Sequence, residues 1–243
     1  IDCLPKYINF ETKEFNDLFE YIKSIEVNEV KESFHYEFEY NNFIFGLGTG
    51  GIHGCIKEGI YESDNEYIII DSDVASLYPS IAVVNNYYPQ HLGKEFCDVY
   101  SGILNQRLEA KKSGDKVMAD GYKLSLNSVY GKSNSEWSYL YDPLYTLKTT
   151  LTGQMSLCML SEMLFLAIPG MTMLQINTDG VTSKLPKEYE EIYHKVCKEW
   201  EKITKLTLEH VNYSKMIIRD VSNYFAIGVD GKVKRKGMFK LHS

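Results

Sequence analysis

In the stretch IIIDSDVASLYPS, residues 68 to 80, an apolar run ends on two aspartates spaced two apart. On a strand, side chains at 69, 71 and 73 share a face, so Asp71 and Asp73 either point together or are split by the strand's end; spacing does not choose between them. The following Ser76-Leu77-Tyr78-Pro79-Ser80 predicts a tight bend that puts backbone amides and one large ring beside the carboxylates, an anion-binding turn next to a metal-binding acid. Far along the chain, Asn177-Thr178-Asp179-Gly180 offers another carboxylate at the tip of a predicted hairpin. A hairpin aspartate is ordinarily turn chemistry. Two carboxylates from adjacent strands are also what a pair of Mg²⁺ ions roughly 4 Å apart needs for in-line phosphoryl displacement.

Between these acids, Lys123, Asn127 and Tyr130 are spaced i, i+4, i+7 on one helical face, and Arg107 and Lys111 share a face four apart. Each face is either a solvated stripe or a set of cations for triphosphate oxygens. GLGTGG, residues 46 to 51, formally satisfies G-x-G-x-x-G, with Asp71 twenty positions beyond Gly51. A dinucleotide site needs a helix to start on those glycines. Here IHGCIKEGIY follows without a helical period, so the stretch reads as a glycine-rich turn that lets backbone approach closely.

The elements that must position these residues follow from apolar spacing. Phe15, Leu18, Phe19, Ile22 and Ile25 mark one face of a lead-in helix over 11–25. YEFEYNNFIF, 36–45, alternates as a strand, and an edge hairpin is expected to end at Tyr61. After Pro89, helices are predicted over about 95–112 and 115–130, joined by a turn at Ser113-Gly114. A core helix spans 152–168 before Pro169-Gly170, and MTMLQI-NTDG-VTSKL reads as a β-hairpin. An amphipathic helix over 188–202 would bury Tyr189, Ile192, Val196 and Trp200. MIIRDVSNYFAIGV and KVKRKGMF then flank the hairpin signal Asp230-Gly231.

Composition bounds the function. With 243 residues, 44% of them hydrophobic, the chain can bury one sizeable core or two modest ones. The chain opens on Ile1 rather than Met and closes on a basic run, which reads as an excised piece of a longer protein. Cys3, Cys55, Cys97, Cys158 and Cys197 lie far apart, with no zinc-ligand spacing, and read as reduced thiols of an intracellular protein. The most apolar segment, 155–168, is interrupted by Ser156, Ser161 and Glu162 and is too short for a bilayer, so no membrane partner is expected. A net charge of −7 argues against a dedicated nucleic-acid module. Lysines nevertheless punctuate the middle of the chain and crowd 232–240.

Taken in order, D-V-A-S-L-Y-P-S (73–80), K-L-S-L-N-S-V-Y-G (123–131) and N-T-D-G (177–180) resemble the D-x-x-S-L-Y-P-S, K-x-x-x-N-S-x-Y-G and D-T-D-S motifs of the family B DNA polymerases, in the compact versions found in phages and mobile elements. The resemblance covers roughly residues 46–240. It implies an α+β fold, a polymerase palm with an antiparallel sheet backed by helices and a short two-helix fingers hairpin. It further implies DNA-directed DNA synthesis in replication, a nucleotidyl transfer from a dNTP to a primer 3′-hydroxyl on primer-template DNA with two Mg²⁺ ions, or Mn²⁺.

Carried over by position, Asp73 and Asp179 would hold the metals with the Val74 carbonyl. Ser76 and Leu77 would offer amides to the triphosphate, and Tyr78 would stack under the sugar and exclude a 2′-hydroxyl. Arg107 and Lys123 would neutralise phosphates with support from Asn127, and Tyr130 with Gly131 would floor the nascent base pair. Gly50-Gly51 is similar to the family's Y-x-G-G template loop, with Gly48 in place of the Tyr. Tyr224 and the strand Lys232, Lys234, Lys236 resemble its K-x-Y primer grip, with Ser222 in place of the Lys.

The implied domains are a lead-in and template-loop region over 1–66, a palm over 67–93 and 133–210, fingers over 94–132, and a primer-grip hairpin over 211–243. That hairpin leads to a thumb outside the chain. An exonuclease region is likewise expected elsewhere, because the Asp-x-Glu triplet 64–66 falls in a predicted loop. The expected setting is intracellular, the host cytoplasm for a phage-encoded chain. Asn177 replaces the first Asp of D-T-D-S, which motivates the alternative of a degenerate palm that binds primer-template without turnover. Asp71 stands where the family more often has an apolar residue, and is either a neighbour of the site on the same face or a solvated strand end.

Overall fold

The computed structural model describes residues 4–25 and 34–240. Cys3 lies outside them. Helix α1 (Lys13–Ser24) buries Phe15, Leu18 and Ile22 at three- and four-residue spacing. Phe15 meets Phe38 and Phe45 edge-on, docking the helix on the first strands. Its N-terminus is held from a distance: Glu162 accepts from the Thr12 amide at 2.8 Å, the Thr12 hydroxyl at 2.6 Å and the Glu11 amide at 3.1 Å.

The alternating segment 36–45 is not one strand but two, β1 (His35–Tyr40) and β2 (Phe43–Gly48). Asn41 and Asn42 both take the left-handed conformation, φ 50° and 60°, which turns the chain tightly between right-twisted strands. β3 (Gly51–Cys55) pairs with β2 across the glycine-rich turn, so strand, not helix, follows those glycines and the dinucleotide-binding geometry is absent. The hairpin expected to end at Tyr61 does not form. β4 (Gly59–Glu62) leaves β3 and pairs with the distal half of β8 (Leu208–Asp220).

β5 (Tyr67–Val74) carries the first carboxylates, between β7 (Gly180–Pro186) and the proximal half of β8. β6 (Thr172–Asn177) completes the predicted hairpin with β7 and also meets β3. β9 (Asn223–Gly228) and β10 (Val233–Arg235) follow, so MIIRDVSNYFAIGV holds the β8–β9 turn rather than one strand. The ten described strands form one antiparallel sheet in the order β1-β2-β3-β6-β7-β5-β8-β9-β10, with β4 beside β8. The acids thus sit on a central strand buried on both edges.

Helices back the sheet. α5 (Pro143–Ala167) begins nine residues before the expected Thr152, because Asp142 caps it by accepting from the Tyr145 amide at 2.9 Å and Pro143 fits the first turn. α6 (Glu190–Thr204) buries Tyr193, Cys197, Trp200 and Thr204, while the predicted Ile192 is exposed. Trp200, on both the expected and the observed face, donates its indole N–H to the Ser156 carbonyl of α5 at 2.8 Å, and the face is turned toward Tyr193, whose hydroxyl lies 2.7 Å from Ser72 Oγ on β5. The bend expected at 76–80 is the start of α2 (Leu77–Val84), where Pro79 falls in the first turn and needs no N–H. α3 (Glu95–Ser113) and α4 (Lys116–Lys132) form the predicted helical hairpin. They pack on α2 and α5 through Tyr100, Leu104, Leu126, Ala82 and Tyr145. The fold is therefore α+β, and no described helix is long and apolar enough to cross a membrane.

Candidate active site

β5 and β7 run in register with Asp73 opposite Gly180, which brings Asp179 to the end of the strand that carries Asp73. The Val74 amide donates to the Asp179 carbonyl at 2.6 Å, so backbone links the two positions. The approach needs a glycine. A Cβ built on Gly180 would lie 2.2 Å from Asp73 Oδ1, 2.7 Å from the Ser72 carbonyl oxygen and 2.9 Å from Asp73 Cα. On the opposite face of β5, Ser72 Oγ is within 2.7 Å of both the Tyr193 hydroxyl and His210 Nδ1, which pins the strand from behind.

Asp71 and Asp73 share a face, but their surroundings differ. Asp71 is buried, accepting from Thr182 Oγ1 at 2.6 Å, the Tyr213 hydroxyl at 2.6 Å and Lys234 Nζ at 3.0 Å. Asp73 is only partly buried and receives Lys234 at 3.3 Å. Burial, together with Asp71 and Asp179, raises the Asp73 carboxyl from the ordinary 3.8 to about 6, against the opposing pull of Lys234. Burial alone would lower Lys234; Asp71 and Asp73, helped by Tyr224 and Tyr213, hold it well above the usual lysine range.

These groups face one cleft of about 490 Å³. Asp73 and Asp179 line it with Lys123 from α4, and Tyr224, Lys234 and Lys236 from β9 and the β10 side. Asn177, Thr178, Ser222 and His53 complete the rim. His53 Nε2 lies 3.2 Å from Thr178 Oγ1, and burial lowers its pKa. Among the described residues no set of three or more His, Cys, Asp or Glu side chains is arranged to hold a metal ion by itself.

The remaining predicted residues do not line this cleft. Val74 is buried beneath Asp73. Ser76 takes φ 52° and leads into α2 at Leu77 and Tyr78, with its buried hydroxyl unpartnered. Tyr78 stacks on Tyr130 at 4.0 Å, and the Tyr130 hydroxyl is 2.6 Å from Thr150 Oγ1. Burial raises the Tyr78 phenol, with Tyr130 and Asp179 adding to it. Asn127 and Gly131 are exposed on α4, while Arg107 is buried in α3 with Nε unpartnered. Lys111, on the same helical face, instead pairs with Glu209, the residue opposite Asp73 on β8. Gly50 is exposed at the β2–β3 turn, and Gly51 packs so close to Thr178 that an added Cβ would lie 3.2 Å from it. Lys232 pairs with Asp230 at the tip of the last hairpin and stays out of the cleft.

Sequence reasoning missed Thr182, Tyr213, His53 and Gly180. Thr182 lies opposite Asp71 on β7 and Tyr213 diagonally across on β8, positions set by strand register that no local motif encodes. Gly180 was legible as a turn residue only.

No protein-family model matches the chain. Its sequence is 24% identical over 256 residues to DNA polymerase 1 of Pyrococcus abyssi (strain GE5 / Orsay), covering 89% of this chain and 32% of that protein. Among solved structures, the family B DNA polymerase from the hyperthermophilic archaeon Pyrobaculum calidifontis superimposes with a TM-score of 0.57 at 16% identity, covering 84% of this chain and 30% of that one. The chain spans about a third of the length of each of these relatives. The fold is thus family B DNA polymerase-like.

Proposed function

We propose that this chain is the catalytic core of a DNA-directed DNA polymerase of the compact family B type, extending a primer 3′-hydroxyl with dNTPs on a DNA template in an intracellular setting. The observation that carries the reading is the convergence of Asp73 and Asp179 on one cleft walled by Lys123, Lys234 and Lys236. Carboxylates at the centre with cations around them suit a metal-bound triphosphate and a phosphate backbone better than either alone.

The residues fit Mg²⁺ or Mn²⁺. Every candidate donor is a hard oxygen, and the Asp73 carboxyl, raised first by burial and then by the neighbouring Asp71 and Asp179, is in a setting where a divalent cation would favour its charged form. Two carboxylates, with the Val74 carbonyl as a further oxygen, suit Mg²⁺, which takes its other oxygens from water and substrate phosphates. When bound, such ions supply activation of the 3′-hydroxyl and neutralisation of the departing pyrophosphate. Asp73 and Asp179 hold and space the site; Lys123 approaches from α4 to draw triphosphate charge. The Tyr78–Tyr130 stack gives a flat apolar surface for sugar and base, and the lysines on the β10 side face the primer strand. In this reading α3 and α4 are the fingers, the central sheet is the palm, and the last hairpin is the primer grip.

Primer extension with Mg²⁺ or Mn²⁺ tests the proposal. Incorporation abolished by Asp179→Ala supports it. The competing reading, a palm that binds DNA without turnover, draws on Asn177 and on Lys234 lying against Asp73. Retained primer-template binding with no incorporation, measured on the full-length protein, would establish that reading instead.

A further inference from the structure

The cleft contains a charge arrangement that its motifs do not account for. At two positions where the motif resemblance has a charged residue, the chain is neutral: Asn177 for an Asp and Ser222 for a Lys. Both neutral residues line the same cleft as Asp71 and Lys234, an acid where an apolar residue is usual and a lysine on the neighbouring strand. One negative and one positive charge of the motifs are absent, and Asp71 and Lys234 set one of each in the same cavity.

We propose that Asp71 and Lys234 are an ion pair that stands in for those two charges, in which Asp71 is a positioning residue that holds Lys234 against the primer-strand side of the cleft. This rests on the polymerase reading above. Asp71 is built as an anchor: its Oδ1 takes the Thr182 hydroxyl at 2.6 Å and its Oδ2 takes the Tyr213 hydroxyl at 2.6 Å, so the carboxylate cannot turn away. Lys234 then bonds the same Oδ2 at 3.0 Å, closer than its 3.3 Å contact to Asp73. Its Nζ also lies 5.9 Å from the centre of the Tyr224 ring. The lysine side chain is 32% exposed and the Asp71 side chain 6%, so the anchor is buried and the cation is presented. β10 pairs with β9 so that Lys234 stands opposite Ala226, leaving no bulky neighbour across that rung. A lysine fixed in this way meets a phosphate without first losing side-chain freedom.

Equilibrium binding of a fluorescent primer-template across a salt series tests the inference, alongside steady-state extension. Lys234→Met should lower the slope of log affinity against log salt by about one, the loss of one phosphate contact. Asp71→Asn should raise KM for primer-template about tenfold with kcat and KM for dNTP near wild type, because the lysine remains but is no longer placed. Since a lone Lys234→Met leaves Asp71 without its cation, the double variant Asp71→Asn/Lys234→Met is measured as well. Adding Asn177→Asp and Ser222→Lys to that double variant should restore the salt slope. An unchanged KM for primer-template in Asp71→Asn, an unchanged slope in Lys234→Met or in the double variant, or no restoration by the return substitutions overturns the inference while wild-type extension stands. Absence of extension and of primer-template binding in the wild-type protein overturns the polymerase reading and the inference with it.

Discussion

The Val74 amide donates to the Asp179 carbonyl at 2.6 Å, tying the end of β5 to the β6–β7 turn through main chain alone. Side-chain charge at 73 and 179 is therefore separable from the scaffold that places it. Asp73→Asn and Asp179→Asn should each keep a cooperative unfolding transition, no less stable than the wild type at neutral pH without metal. Extension should fall by about a thousandfold, the several kcal/mol expected when a carboxylate ligand of a metal-assisted displacement is neutralised. Parallel thermal melts and primer-extension rates check both halves.

Gly180 is the second half of that arrangement, because the strand opposite leaves no room for a Cβ. Two of its three close contacts are backbone atoms of Ser72 and Asp73, which cannot step aside as a side-chain tip can. Gly180→Ala should cost about 1–3 kcal/mol in stability, the usual penalty of overpacking, and displace Asp179 as well. Urea unfolding measures the first effect. The second appears as weaker Mn²⁺ binding by the purified protein.

How much of this was readable beforehand depended on range. D-V-A-S-L-Y-P-S and N-T-D-G place Asp73 and Asp179 because the chemistry is local to each motif, and the helical periods of α1, α3 and α4 are local as well. The Asn41-Asn42 turn was also local and could have been recognised, since two residues tolerant of positive φ interrupt the alternation there. What could not be read is register. β4 pairs with β8 rather than with its neighbour β3, and Asp71 meets Tyr213 and Lys234 more than 140 residues away, only because of how distant strands align. Burial of α6 on Tyr193 rather than Ile192 has the same origin, a tertiary contact between the Tyr193 hydroxyl and Ser72 of β5 that the amphipathic pattern does not contain.

The raised carboxyl of Asp73 predicts a pH signature in the metal-free protein. Its folded pKa of about 6 lies above the ordinary 3.8, so between these values the native state binds more protons than the unfolded chain. Stability from this group is present at low pH and is lost as pH rises through about 6. Denaturant midpoints in EDTA should therefore show the wild type losing ground to Asp73→Asn between about pH 4 and about pH 7. A gain in that direction would contradict the sign.

Divalent ions should reverse that loss. A cation that binds the native cleft and not the unfolded chain stabilises by mass action, about 2.7 kcal/mol at a hundred times its dissociation constant. Thermal melts of the wild type should rise with added Mg²⁺ or Mn²⁺ and return to baseline with EDTA. Asp73→Asn and Asp179→Asn should respond weakly, and Glu162→Gln, remote from the cleft, should respond like the wild type.

Glu162 itself carries a separate prediction. In the sequence it is a lone charge interrupting the apolar run of 155–168. In the fold it is 2% exposed, and its oxygens take the Glu11 amide, the Thr12 amide and the Thr12 hydroxyl, closing the start of α1 in place of a capping side chain of that helix's own. Glu162→Ala removes the acceptor of these partly buried groups, at a cost of about 1 kcal/mol. Glu162→Gln keeps one carbonyl acceptor and should cost less. The loss should be concentrated in α1, so hydrogen exchange of the amides of 13–24 should accelerate more than that of β5. Equal acceleration in both elements would mean that Glu162 supports the core as a whole rather than the docking of the first helix.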